Sequence, residues 1–297
     1  MAGAVEGRSF ALLVNPHAAG GRPLRLLPRV EARLRTLGLP FTVQRTQSLL
    51  HGCELAREAA GRGEMPVTLS GDGLIGAVAG ALRDVPGAVL GVLPGGRGND
   101  FARMIGLPLD PAAACDVLAG GRPVAIDLGA AGERTFLGVA SLGFDSEANR
   151  IANTAPPQLG RLVYVYGALR ALAAWDGARF AVEVDGERVE FEGWSVVVAN
   201  SGFYGGGMHV APDARLDDGA LDVVWLAEAS RAGLVRILAK VFRGRHVDEP
   251  AVSVRRAAEV TVSADRPFTV YADGDPIGHL PITMRTVPAA VRVLLPA

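Results

Sequence analysis

Short apolar runs and amphipathic stretches alternate along the chain from Ser9 to about residue 125. SFALLVNP at 9–16 is a continuous apolar run that ends in turn chemistry, HAAGGRP, and reads as a buried strand. In LRLLPRVEARLRTLG, residues Leu27, Val30, Leu34 and Leu37 recur at helical spacing on one face. Arg25, Arg29 and Arg33 line another face, expected to be solvated, and Gly38 supplies the stop. PFTVQRT predicts a second strand, CELAREAAGRG a second helix, MPVTLS a third strand and GAVLGVLP a fourth. Strand and helix in this alternation predict a parallel sheet with helices on both faces.

Near 125–135 the rhythm changes to short strands: ERTFLGVASLGF, RFAVEVDGERVEFEGWSVVVAN, GALDVVWLAE, VTVSADRPFTVYADGDPIGHLPITMR and AAVRVLLPA. Asp185-Gly186 lies between two of them as a hairpin signal. Helical patterns interrupt around LGRLVYVYGALRALAAW and SRAGLVRILAKVFRG; the apolar stretch at 162–175 either shields an acyl chain or packs the second domain, and packing is expected. An α/β domain followed by a β-rich one suits a chain of 297 residues.

Composition removes several function classes. The chain is 49% hydrophobic and 21% charged, as a folded protein is, and no apolar run reaches the roughly 18–20 residues of a membrane span. The opening MAGAVEGRSFALLVNP lacks the basic and apolar regions of a signal peptide, so a cytoplasmic protein is expected. Cys53 and Cys115 have no metal-type spacing and are expected to be packing residues. A net charge of −1 argues against a nucleic-acid partner. Lys240 is the sole lysine and lies far from every glycine cluster, which excludes both a P-loop and the strand lysine of a protein kinase. Any phosphate handled here must meet arginine, backbone N–H groups or a metal ion.

Two stretches carry the candidate chemistry, LSGDGLIGAVAGAL at 69–82 and LPGGRGNDFARMIG at 93–106. Each follows a predicted strand and precedes a helix, the edge of an open α/β sheet where ligands bind and helix N-termini favour anions. The glycines either clear backbone for a phosphate or simply permit tight turns. No G-x-G-x-x-G opens the helix after the first strand, so a dehydrogenase is not indicated.

NPHAAGG, SGDG, PGGRGNDFAR, GFDSE, GGGMHVAPDARLDDGALDV and DGD, in this order and spanning about 9 to 295, resemble the diacylglycerol kinase catalytic-domain family, which includes sphingosine kinases and soluble bacterial lipid kinases. The resemblance implies a Rossmann-like N-terminal domain and a β-sandwich C-terminal domain with the active-site cleft between them. The domains would be 1–128, joined by the returning segment 287–297, and 129–286. It implies transfer of the γ-phosphoryl of ATP, with Mg²⁺, to a lipid hydroxyl, diacylglycerol by default, by a protein peripheral to the membrane. A homodimer stays open. The family match carries nucleotide binding onto Asn15, Pro16, Thr46, Gly71, Gly73, Gly96, Arg97, Gly98, Asn99 and Asp100. It makes Asp72, Asp273 and Asp275 the catalytic carboxylates, and gives a structural Mg²⁺ to Asp217 and Asp218 unless their loop is an ordinary turn. Asp145 either touches the lipid head group or caps the following helix.

The residue types suit the chemistry, because phosphoryl transfer needs positioning and charge neutralisation more than covalent help. Departures are equally specific. Where the family has a polar residue and a glutamate after GGDG-T, this chain has Gly76 and Ala77; Arg97 replaces a threonine, and DGE is Asp-Gly-Asp. A guanidinium at position 97 can bind phosphate bidentately where a hydroxyl makes one hydrogen bond. Two alternatives follow: a kinase of the NAD kinase type acting on a soluble nucleotide, or a nucleotide- or lipid-binding homologue without turnover.

Overall fold

The computed structural model describes residues 9–155, 159, 162–175 and 177–297. The chain divides into two compact units, one running up to Leu128 and including Pro288–Ala297, the other Gly129–Val287.

The first unit contains β1 (Phe10–Val14), α1 (Arg22–Thr36), β2 (Phe41–Arg45), α2 (Leu49–Gly61), β3 (Met65–Ser70) and α3 (Asp72–Leu82). It continues through β4 (Val89–Pro94), the short α4 (Asp100–Met104), α5 (Pro111–Gly120) and the start of β5 (Arg122–Ala131). The strands lie parallel in the order β2-β1-β3-β4, and the last strand of the chain joins β4 with Arg292 opposite Val89. β1, β3 and β4 are buried at every position, which is why they read as unbroken apolar runs, while the edge strand β2 is half-exposed. Leu27, Val30 and Leu34 of α1 and Leu118 of α5 close one face of this sheet.

Helix starts depart from the sequence reading where a cap decides. α2 begins at Leu49 rather than near Cys53, because the Ser48 hydroxyl accepts the His51 N–H at 3.1 Å. The basic face of α1 is solvated: Arg29 and Arg33 meet Asp110 and Asp116 in exposed pairs worth at most about 1 kcal/mol each. Burial pushes the Cys115 thiol up to about 12 and raises that of Cys53 too, so both behave as packing residues.

The second unit is mainly antiparallel. It contains β6 (Arg134–Phe136), β7 (Val139–Gly143), α6 (Phe144–Thr154), α7 (Leu162–Ala174), β8 (Ala178–Val184) and β9 (Glu187–Ala199). A two-strand ribbon, β10 (Phe203–Tyr204) and β11 (Met208–His209), precedes β12 (Leu221–Ala227), α8 (Arg231–Val241) and β13 (Val252–Ala257). β14 (Glu259–Ala264), β15 (Thr269–Ala272), β16 (Asp275–His279) and β17 (Ile282–Leu295) end the chain. The long β9 organises the unit: its first half pairs with β8, its second half with β7 and β12. Asp185 and Gly186 turn from β8 into β9 with φ of 47° and 87°, the hairpin that the Asp-Gly pair predicts. Phe180, Val182, Val196, Val198, Val223 and Val260 fill one core, and Phe144, Trp194, Leu234 and Ile237 fill a second beneath the helices.

One buried carboxylate in this unit carries a pH prediction. Asp222 on β12 is 2% exposed, and burial together with the like charge of Asp213 pushes its carboxyl up to about 6; Arg256 Nε stands 3.7 Å away. The folded-state value lies above the unfolded one, near 3.9, so the folded chain holds the extra proton between them. The contribution of Asp222 to stability is therefore full below about pH 4 and lost as pH rises through about 6. Asp222→Asn is expected to be more stable than wild type at pH 8 by about 1–3 kcal/mol, with the gap closing by about pH 4.5. Urea melts at both pH values check it; a pH-independent difference would refute it.

Candidate active site

The two glycine-rich stretches meet in the first unit. Gly71 is the N-cap of α3 and offers no side chain, so the first-turn N–H groups of that helix are left uncapped. Gly95 N–H donates to the Ser70 carbonyl at 2.7 Å, which ties the ends of β3 and β4 together. A Cβ on Gly96 would fall 2.3 Å from Gly71 Cα, and one on Gly71 would fall 3.1 Å from Gly96 Cα. Neither residue has a positive φ, so close backbone approach is what requires glycine here. Gly96→Ala is expected to cost about 1–3 kcal/mol and to abolish nucleotide binding by calorimetry, because backbone would have to move.

The second loop is held from several directions. Asn99, in the left-handed region at φ 56°, accepts the Gly96 N–H on its own Oδ1 at 2.7 Å. Asp72, in the first turn of α3, accepts the Phe101 N–H on Oδ1 at 3.0 Å. Arg22 Nη1 donates to the Gly96 carbonyl at 2.8 Å, and Arg103 Nη1 to the Gly98 carbonyl at 3.3 Å. Arg22 and Arg103 were not among the candidate site residues, although both lie in quoted motifs, HAAGGRP and PGGRGNDFAR. Gly73 lies in the first turn of α3 and Asp100, buried, in the first turn of α4. Arg97 is half-buried and makes no hydrogen bond or ion pair with any described residue. The loops thus present the uncapped first-turn amides of α3, one carboxylate and one uncommitted guanidinium, a set suited to a polyphosphate.

Asn15 and Thr46 stand at the same edge of the sheet. Asn15 N–H donates to the Leu69 carbonyl at 3.4 Å, while its Oδ1 accepts the His17 N–H at 3.0 Å, folding the turn through Pro16. Thr46 is buried after β2, with its N–H on the Val14 carbonyl at 2.9 Å. Ala77, where the family has glutamate, faces α2, and the Cys53 thiol donates to its carbonyl at 3.3 Å.

In the second unit the two carboxylates of the DGD sequence have different surroundings. Asp273 and Gly274 make the β15–β16 hairpin turn with φ of 51° and 95°. The Asp273 carboxylate also accepts the N–H groups of Leu137 at 2.7 Å, Gly138 at 2.9 Å and Val139 at 3.2 Å, most of the lone pairs it has. Asp275, at the start of β16, has no such cradle. Although the residue is exposed, desolvation by nearby protein raises its pKa, offset only in part by Arg134.

Asp145 is not a helix cap, since the N-cap of α6 is Gly143. Its Oδ1 accepts the Tyr204 hydroxyl at 2.8 Å, and burial raises its pKa against the opposing hydrogen bonds from Ser195 and Tyr204. Asp217 turns to Arg215 at 3.3 Å, and Asp218 is ion-paired with Arg256 while accepting the Ala220 N–H at 3.1 Å. Both carboxylates of that loop meet arginine side chains. Among the described residues no group of three His, Cys, Asp or Glu side chains converges as a metal cage would. Asp72 does fit Mg²⁺: it is a lone hard carboxylate with Oδ1 engaged and Oδ2 without a hydrogen bond to a described residue, at a site where phosphate and water would supply the other oxygens.

Comparison with known proteins agrees with this geometry. Residues 9–131 match the family model described as diacylglycerol kinase catalytic domain, and residues 138–295 match the YegS C-terminal NAD kinase beta sandwich-like domain. A diacylglycerol kinase of Mycobacterium tuberculosis (strain ATCC 25618 / H37Rv) is 34% identical over 96% of this chain and 94% of its own length. A diacylglycerol kinase of Bacillus subtilis (strain 168) is 27% identical over 96% and 95%. Among solved structures, a Bacillus anthracis str. Sterne protein provisionally described as a diacylglycerol kinase superposes with a TM-score of 0.82 at 21% identity, covering 97% of this chain and 95% of that one. Together with the family match and these relatives, an α/β unit followed by a β-sandwich marks an enzyme of the lipid kinase class, which transfers a phosphoryl group to an alcohol. The chain belongs to the diacylglycerol kinase family. No helix among the described residues is long and apolar enough to cross a membrane.

Proposed function

We propose that this chain transfers the γ-phosphoryl group of ATP, with Mg²⁺, to the hydroxyl of diacylglycerol, giving phosphatidic acid and ADP, at a membrane surface. The observation that carries the reading is the interlocked pair of glycine loops with Asp72 at their seam and the uncommitted Arg97 beside it. The acceptor is taken from relatives named diacylglycerol kinase.

In this reading the uncapped N–H groups of α3 and the Arg97 and Gly98 amides hold the polyphosphate. Arg97 neutralises charge that builds on the equatorial oxygens during transfer, the work for which this lysine-poor chain has no lysine nearby. Mg²⁺, when bound, supplies further neutralisation between the phosphates, and Asp72 is the residue that would hold it. Asp275 takes the proton of the attacking hydroxyl, because its carboxyl is basic enough and uncradled, and Asp273 fixes the turn that presents it. The hydroxyl oxygen bonds to phosphorus as the bond to the β,γ-bridging oxygen breaks, and ADP leaves.

A soluble-nucleotide acceptor is the second reading, favoured by the NAD kinase kinship in the name of the C-terminal domain model. Incubation with γ-labelled ATP and Mg²⁺, separately with diacylglycerol vesicles and with NAD, followed by chloroform extraction, separates the two. Label in the organic phase supports the lipid acceptor; label confined to the aqueous phase with NAD transfers the proposal to the nucleotide. ATP binding with no labelled product in either assay would sink both.

A further inference from the structure

We infer that α7 is a membrane-docking helix, its outer face an apolar stripe that lies in the head-group region of an anionic lipid surface. Leu162, Val165, Tyr166 and Leu169 are 64%, 43%, 40% and 56% exposed. They occupy positions i, i+3, i+4 and i+7 of one helix, so all four share one face. Single exposed apolar residues are ordinary, but four in a row on one helix face are not.

The opposite face of α7 explains why this one is left over. Gly167 lies so close to α6 that a Cβ there would fall 2.3 Å from the Ala148 carbonyl oxygen. Val163 and Ala171 are buried, and Ala171 and Trp175 line a cavity of about 430 Å³ shared with Arg150 of α6 and Arg266, Phe268 and Tyr271 of the β15 region. The helix therefore packs through its inner side, while among the described residues its outer side stays exposed. The sequence reading expected all of 162–175 to serve packing; half of the helix does.

The occupant follows from what borders the stripe. Arg170, exposed and four residues after Tyr166, stands at the edge of the stripe. Tyr166 adds a ring with a polar tip, the side-chain type that sits at a membrane interface. An apolar stripe edged by arginine and tyrosine suits anionic head groups over acyl chains better than the dry, uncharged centre of a protein interface. This inference rests on the lipid-acceptor reading only for its biological sense; the binding itself needs no substrate.

The test is co-sedimentation of the full chain with substrate-free vesicles of phosphatidylcholine, alone and with 30% phosphatidylglycerol (about one lipid in three, ample for a surface potential). Wild type is expected to partition to the anionic vesicles, and Val165→Glu/Leu169→Glu to do so at least about tenfold less, with an unchanged circular dichroism spectrum. Val165→Ala/Leu169→Ala, gentler on the fold, is expected to lose a smaller part of the binding. Equal partitioning of wild type and both variants would overturn the inference. So would a wild-type dimer that binds no vesicle and becomes monomeric in the glutamate variant, which would assign the face to a second copy of this chain. Vesicle binding that persists when no lipid is phosphorylated would sink the kinase reading and leave the docking face standing.

Discussion

Asp72→Asn is expected to lower kcat for phosphoryl transfer by at least about a hundredfold while leaving the melting temperature within a degree or two of wild type. Asp72 has two separable jobs. Its Oδ1 accepts the Phe101 N–H at 3.0 Å and so ties α3 to the start of α4, and its negative charge stands at the helix N-terminus where the metal-bound phosphates are proposed. An asparagine oxygen can keep the first job and cannot do the second. Asp72→Ala loses both, and should add a loss of about 1 kcal/mol in stability from the unmet amide. Thermal melts with and without ATP, beside kcat, divide the roles. An asparagine variant with near-normal kcat would show that Asp72 serves the loop alone, and the metal would then need another holder.

The parts of this fold that were legible in the sequence are those set by local periodicity. β1, β3 and β4 are buried on both faces and so appear as apolar runs; α1 shows its buried Leu27, Val30 and Leu34 at helical spacing. α6 was anticipated only as an unbounded helix after Asp145, since the polar residues of FDSEANRIANT mask its helical spacing, and the start of α2 was read late because Ser48 precedes two exposed leucines. The candidate site was legible as glycines and carboxylates, but their division of labour was not. That division depends on contacts distant in sequence: Arg22 to Gly96, separated by 74 positions, and Asp273 to Leu137, separated by 136. No spacing rule reports such pairs. The Asp217-Asp218 loop makes the same point, since only the fold brings Arg256 to Asp218.

Asp273 and Asp275, two residues apart, are expected to fail in opposite ways. Asp275→Asn should keep the fold and lower kcat/KM by about 10²–10⁴, the range for removing a positioned general base. Its stability at neutral pH should not fall, because Asp275 is exposed and its raised pKa shows that the fold does not favour the charge the substitution removes. In wild type the base must be ionised to act, and its raised pKa places the acid limb of kcat/KM above that of an ordinary aspartate. Asp273→Asn keeps the left-handed turn, which asparagine tolerates, but offers one carbonyl oxygen where three N–H groups converge and sets its own NH₂ against the others. A loss of about 1–3 kcal/mol is expected, with activity falling as the hairpin that carries Asp275 loosens. Denaturant melts and pH–rate profiles of both variants form the decisive set. A stable Asp273→Asn protein that has lost only its acid limb would exchange the two roles and make the cradled carboxylate the base. A fully active Asp275→Asn protein would remove the hairpin from the chemistry and leave the acceptor proton to solvent.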